Sequence, residues 1–154
     1  MPTPRRFPAE QFLNRELSLL AFNQRVIAQA ADNRVPLLER LRFLCIVSSN
    51  LDEFFEIRVA GLKEQLKLGS HAAGADGMPP LDVFRRVTEQ AHQLIGEQYA
   101  LLNDEILPAL EKEGIAFFRR SLWTNEQRAW IRDYFHKEVM PVLTPIGLDP
   151  SHPF

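Results

Sequence analysis

From residue 81 to about residue 113 one apolar seam, made of Phe84, Val87, Ala91, Leu94, Ile95, Leu101 and Leu102, keeps to helical spacing. Only an α-helix returns side chains to one face at that period, so the stretch is committed to a long amphipathic helix with a face to bury. The same period recurs upstream. Between Asn14 and Ala31, one stripe holds Leu17, Leu20, Ala21, Ile27, Ala28 and Ala31, and a second holds Leu19, Phe22 and Val26. Two stripes imply a helix covered on two sides. Residues 37–47 are apolar on almost every side, which suits a short central helix. Arg40 and Arg42 lie within it, and each needs a partner or a route to solvent. Helices of this kind are stable only when they bury one another's faces, as in a bundle.

Punctuation divides the chain further. Pro36 ends the first helix, because the residue before a proline is driven out of the helical region. Ser48-Ser49-Asn50 interrupts the apolar pattern and reads as the N-terminus of a further helix. Ser49-x-x-Asp52 and Asn50-x-x-Glu53 sit at capping-box spacing there. That helix, residues 51–68, places Leu51, Phe55, Val59, Leu62 and Leu66 on one face. Residues 69–80, rich in glycine and proline, read as a linker and as the internal stretch best suited to mobility. Pro108 has no N–H for the carbonyl of Asp104, so a kink or an early end is expected there, with Gly114 as the stop.

After Gly114 the texture changes. Ile115-Ala116-Phe117-Phe118 reads as a short strand, and Thr124-x-x-Gln127 as the capping box of a helix carrying Trp130, Ile131, Tyr134, Phe135 and Val139. The expected fold is therefore mainly all-α. An N-terminal helical domain over 1–113 carries a long helix around 81–113. A strand–helix piece over 114–154 then begins a truncated second domain. Residues 1 to about 12, with three prolines and the Arg5-Arg6 pair, read as a loose arm. The proline-rich end at Phe154 reads as a cut within a longer protein. In that second piece Phe117, Phe118, Trp123, Trp130, Phe135 and Val142 would expose apolar surface, so a homo-oligomer is expected.

Composition bounds the function more by exclusion than by suggestion. With 45% apolar and 25% charged residues the chain can bury a core, and a net charge of −2 gives no bulk attraction to nucleic acid. The single cysteine, Cys45, lies in an apolar run and reads as a buried, inert thiol. No apolar run approaches the roughly 20 residues that span a bilayer. The chain reads as cytoplasmic, with peripheral membrane association left open. None of the seven glycines is followed by another two positions later, so no Gly-rich phosphate loop of the usual kinds is present. His71, His92, His136 and His152 are scattered without metal-ligand spacing, and read as solvated or structural. Neighbouring carboxylates such as Asp52-Glu53 and Asp104-Glu105 read as solvated helix faces. No catalytic residue and no metal ligand is assigned.

One segment stands apart, residues 48–58, because it sets a polar break between two strongly apolar helices. Asn50 there has two readings. It caps a helix, or its two-way amide and the free N–H groups of the helix N-terminus read a base edge or a phosphate.

The words of the sequence carry more than its periods. Phe12-Leu13-Asn14-Arg15-Glu16-Leu17-Ser18-Leu19-Leu20-Ala21-Phe22-Asn23, Pro36-Leu37-Leu38-Glu39-Arg40-Leu41-Arg42-Phe43-Leu44 and Ser49-Asn50-Leu51-Asp52-Glu53-Phe54-Phe55-Glu56-Ile57-Arg58 resemble, in order, the N-terminal region of bacterial polyphosphate kinases of the histidine-using family. Leu143-Thr144-Pro145-Ile146-Gly147-Leu148-Asp149-Pro150-Ser151-His152-Pro153-Phe154 resembles the start of that family's head domain. The resemblance implies a four-domain phosphoprotein that reversibly transfers the terminal phosphoryl group of ATP to inorganic polyphosphate, through a phosphohistidine and with Mg²⁺. It places the catalytic histidines, the metal site and the phosphate-binding residues in C-terminal domains beyond this chain, and His152 is not the phosphorylated histidine. One position carries over: the asparagine before Leu-Asp-Glu-Phe contacts ATP, and here it is Asn50. This part of the enzyme then covers one side of the ATP site, supports assembly of the dimer, and is inactive alone. The alternative is a purely structural helical module without ligand contact. A third reading has Arg5, Arg6, Arg40, Arg42, Arg119 and Arg120 guiding polyphosphate.

Overall fold

A computed structural model describes residues 7–144. Arg5, Arg6, His152 and the closing word from Pro145 onward lie outside the described residues. The chain divides into two compact units, one up to Ala116 and one from Phe117.

In the first unit, α1 (Arg15–Ala31) starts where the side chain of Asn14 accepts a hydrogen bond from the Leu17 N–H at 3.0 Å. The other half of that amide donates to Asp76 at 2.7 Å, and Asp76 also accepts from the Met78 N–H. The Gly/Pro linker is thereby tied back to the start of α1. Asp32 and Arg34 form the turn that leaves α1, with Arg34 donating to both oxygens of Asp32.

The next helix does not stop where the sequence pattern does. Helix α2 (Leu37–Glu53) runs through Ser48-Ser49-Asn50, passes into a π-helical turn (Phe54–Val59), and continues as α3 (Ala60–Lys67). The expected helix N-terminus at Asn50 is therefore overturned. Tertiary hydrogen bonds explain why a run that favours caps stays helical. The buried Gln98 donates to the Ser48 hydroxyl at 2.7 Å, and Asn50 donates to Asn23 of α1 at 2.9 Å. Side chains satisfied by neighbouring helices no longer compete for the local backbone.

The π turn also re-phases the helix. Buried positions run Arg40, Leu44, Val47, Leu51, Phe54, and then step by five to Val59 before Leu62. The N–H of Ala60 bonds the carbonyl of Phe55, five residues back. Phe54 keeps the regular step from Leu51 into the core and Phe55 faces outward, while the extra residue moves the next inward position from Arg58 to Val59.

The long helix behaves similarly. Helix α4 (Pro80–Ala100) buries Val83, Val87, Ala91, Leu94 and Gln98, a second π turn (Leu101–Ile106) follows, and α5 (Leu107–Lys112) completes it. The helix does not end at Pro108. The π turn ends on a bond from the Leu107 N–H to Leu102, immediately before the residue that cannot donate. One extra residue in that turn shifts the carbonyls that the proline ring would otherwise meet. Gly114 then stops the helix at φ 80°, with its N–H on Glu111 and that of Ile115 on Leu110. This pairing of two carbonyls across a left-handed glycine is the Schellman closure. Gly69 closes α3 in the same way.

The core forms where α1, α2, α3 and the long helix meet, around Ala30, Val47, Val87, Leu94, Ile106 and Leu110. Arg40 is buried within it. Its Nε donates to the Ala30 carbonyl at 2.6 Å, and its guanidinium pairs with Glu105 at 3.0 Å. Cys45 is exposed, contrary to the buried thiol expected, because Leu44 and Val47 occupy the inward positions around it.

Residues 115–119 have no regular structure, and no strand forms among the described residues, so the expected strand–helix piece is not borne out. A strand needs a partner for its N–H and C=O groups, and none is at hand. Helix α6 (Asn125–Tyr134) opens on the expected capping box, Thr124 with Gln127. It passes into a π turn (Phe135–Val139) that again ends two residues before a proline, Pro141. Phe117, Phe118, Trp130, Phe135 and Val142 are exposed, and Trp130 stacks on Tyr134.

Replacing Arg40 by leucine should lower stability by about 1–3 kcal/mol, because the Ala30 carbonyl and Glu105 both lose a charged donor. Chemical denaturation of wild type and variant measures it. The Arg34 guanidinium and backbone N–H hold the carboxyl of Asp32 well below its ordinary value of 3.8, at about 2. The folded-state value is the lower one. This contact therefore contributes stability above pH 3.8, lost as pH falls through about 2. A carboxyl titration followed by NMR should place the Asp32 midpoint near 2 and return it toward 3.8 in Arg34→Ala.

Candidate functional site

Asn50 lies on the face of α2 that meets α1, and it is half-buried. Its neighbours come from two places. Helix α1 supplies Leu19, Phe22 and Asn23, and the end of α2 with its π turn supplies Glu53, Phe54, Ile57 and Arg58. Together they line a groove of about 200 Å³. Complete small-molecule sites enclose roughly 300–1,000 Å³, so this groove has the size of one wall of a site.

The chemistry of that wall is mixed. Phe22 and Ile57 present apolar surface, Asn50 presents an amide, and Arg58 and Glu53 bring opposite charges to the same rim. Apolar faces with a few placed polar groups are what a flat heterocycle with hydrogen-bonding edges requires. The π turn contributes directly, since it spans Phe54, Ile57 and Arg58 of the lining. The two π turns at Pro108 and Pro141 each precede a proline, whereas the one beside the groove precedes none. Such turns recur at functional positions because they aim side chains that a regular helix would point elsewhere.

The backbone half of the sequence reading fails here. Asn50 stands mid-helix, and the carbonyl of Asn50 accepts from the N–H of Phe54. No free helix N–H groups are available at this point to bind an anion. What remains is the side-chain amide. It is held by Asn23, which is 2% exposed and whose own Nδ2 donates to the Leu19 carbonyl at 3.1 Å. Asn23 was not singled out by sequence, although a signal existed. The buried stripe of α1 runs Leu20, Asn23, Ile27, Ala30, so a polar residue occupies a core position.

Two of the arginines named for polyphosphate, Arg40 and Arg42, have partners within the helical unit. Arg40 is committed to Ala30 and Glu105, and Arg42 lies 3.7 Å from Glu39. His92 contacts the Thr88 carbonyl one turn back. Among the described residues no group of three or more His, Cys, Asp or Glu side chains could hold a metal ion. No described helix is long and apolar enough to cross a membrane.

The profile of the polyphosphate kinase N-terminal domain matches residues 12–118, and that of the polyphosphate kinase middle domain matches residues 126–154. The chain belongs to the polyphosphate kinase family. The polyphosphate kinase of Burkholderia ambifaria is 58% identical over 142 residues, 92% of this chain. That of Neisseria gonorrhoeae is 59% identical over 144 residues, 94% of this chain. In both cases the chain spans 21% of the relative's length. The crystal structure of polyphosphate kinase from Porphyromonas gingivalis superposes with a TM-score of 0.70 at 34% identity, covering 96% of this chain and 20% of that one. At that identity and overlap, the two chains share the same fold over nearly all of this sequence.

Proposed function

We propose that this chain is the N-terminal part of a polyphosphate kinase, in which the groove around Asn50 forms one wall of the ATP site. The complete enzyme then transfers the terminal phosphoryl group of ATP, reversibly, to inorganic polyphosphate. The observation that carries this reading is the groove itself. An amide and an arginine stand beside exposed apolar side chains in a hollow too small to enclose a nucleotide. Such a wall binds weakly alone and completes a site when other domains close over it. The histidine chemistry and Mg²⁺ belong, in this reading, to the remainder of the protein. The polyphosphate and ATP or ADP are its substrates, and this chain alone catalyses nothing.

A second reading has its own support. The Asn50–Asn23 bond joins α1 to α2, so Asn50 also serves as a strut in a helical interaction module. The two roles separate in one variant. In the complete enzyme Asn50→Ala should raise the KM for ATP several-fold. A loss of about 1 kcal/mol in stability with unchanged KM would leave only the strut.

The second unit supports assembly as a further role. Its exposed Phe117, Phe118, Trp130 and Val142 form apolar surface of the kind that associates. Sedimentation equilibrium of this chain should give a homo-oligomer, and a clean monomer at tens of micromolar would remove that expectation.

A further inference from the structure

We propose that Asn23 is a positioning residue that fixes the polarity of the Asn50 amide, so that the groove accepts a 6-aminopurine and disfavours a 6-oxopurine. The proposal rests on the reading of Asn50 as a nucleotide contact and adds to it a second residue and a direction.

The argument is one of donors and acceptors. A backbone carbonyl only accepts, so the Leu19 carbonyl holds the nitrogen of the Asn23 amide, at 3.1 Å, and turns its oxygen away. That oxygen only accepts as well. It therefore holds the nitrogen of the Asn50 amide at 2.9 Å. Asn23 is 2% exposed, so water cannot substitute for either partner. Flipping the Asn50 amide would set two carbonyl oxygens against each other in a buried place, and the flip is disfavoured. A chain of two amides thus carries the fixed polarity of a main-chain carbonyl out to the groove.

Asn50 Oδ1 makes no hydrogen bond among the described residues, and Asn50 lines the groove. The amide keeps an acceptor and its second N–H for an incoming group. An acceptor beside a donor complements the amino group and N1 of adenine, the Watson–Crick edge of that base. A 6-oxopurine presents the reverse, an acceptor at C6 and a donor at N1, so oxygen meets oxygen, N–H meets N–H, and only a turned amide would match it. Phe22 and Ile57, 47% and 58% exposed, offer apolar surface to the flat ring.

The test compares ATP with inosine triphosphate as phosphoryl donors in the complete enzyme. Wild type should show a KM for ATP about tenfold or more below that for the 6-oxo nucleotide, the discrimination a well-placed amide pair gives. Asn23→Leu should raise the KM for ATP more than it lowers kcat, and bring the two nucleotides within about threefold, since the Asn50 amide is then free to turn. Asn23→Ala is measured in parallel, because it cannot fail by overpacking, and should lose discrimination equally. A wild type that uses both nucleotides with equal KM overturns the proposal. So does an Asn23 variant that folds and keeps the wild-type preference. If Asn50→Ala raises KM for both nucleotides by one factor, the polarity proposal fails while the nucleotide contact stands. If Asn50→Ala changes neither KM, the contact itself fails.

Discussion

A buried guanidinium holds the helical unit together. Arg40, in the first turn of α2, donates to the carbonyl of Ala30 in the last turn of α1, and pairs with Glu105 in the π turn before Pro108. A helix end leaves carbonyls without intrahelical partners, and a buried cation needs acceptors, so each demand satisfies the other. The pair is asymmetric. Arg40 is buried whereas Glu105 remains more than half exposed, so the desolvated partner is the one with a second, main-chain acceptor. With α1 and the long helix both anchored on Arg40, the register of α2 between them is set, and so is the position of Asn50 further along it.

The second organising device is the π turn. In each of the three places where it occurs among the described residues the helix gains a residue, and in the first unit the inward face resumes after a step of five. Two of the three solve the same problem, a proline two residues further on. The turn next to the groove has no proline to explain it. Its consequence is that Val59 goes inward while Ile57 and Arg58 reach the groove. A regular step of four from Phe54 would have turned Arg58 inward.

Most of the fold was legible because helical period is a short-range property. The limits of α1, the glycine stop at Gly114 and the capping box at Thr124 each depend on residues within a turn of one another, and each stands as read. The misreadings share the opposite cause. Ser48-Ser49-Asn50 has the local chemistry of a cap, yet Gln98 and Asn23, distant in sequence, respectively donate to Ser48 and accept from Asn50 in place of the backbone. Cys45 sits in an apolar run, but exposure in a helix depends on phase, not on the run. The strand expected at residues 115–118 lacks a pairing partner, which no local word can supply.

The candidate site divides along the same line. Sequence by itself determined that the chain is helical, that it resembles polyphosphate kinases, and that Asn50 is the position to watch, because identity and period are written in consecutive residues. Only the tertiary structure decided how Asn50 is held. It removed the free helix terminus, set Asn50 mid-helix, and placed the buried Asn23 against it across the α1–α2 interface. That partnership joins residues on different helices, and it exists only once α1 and α2 have packed against each other.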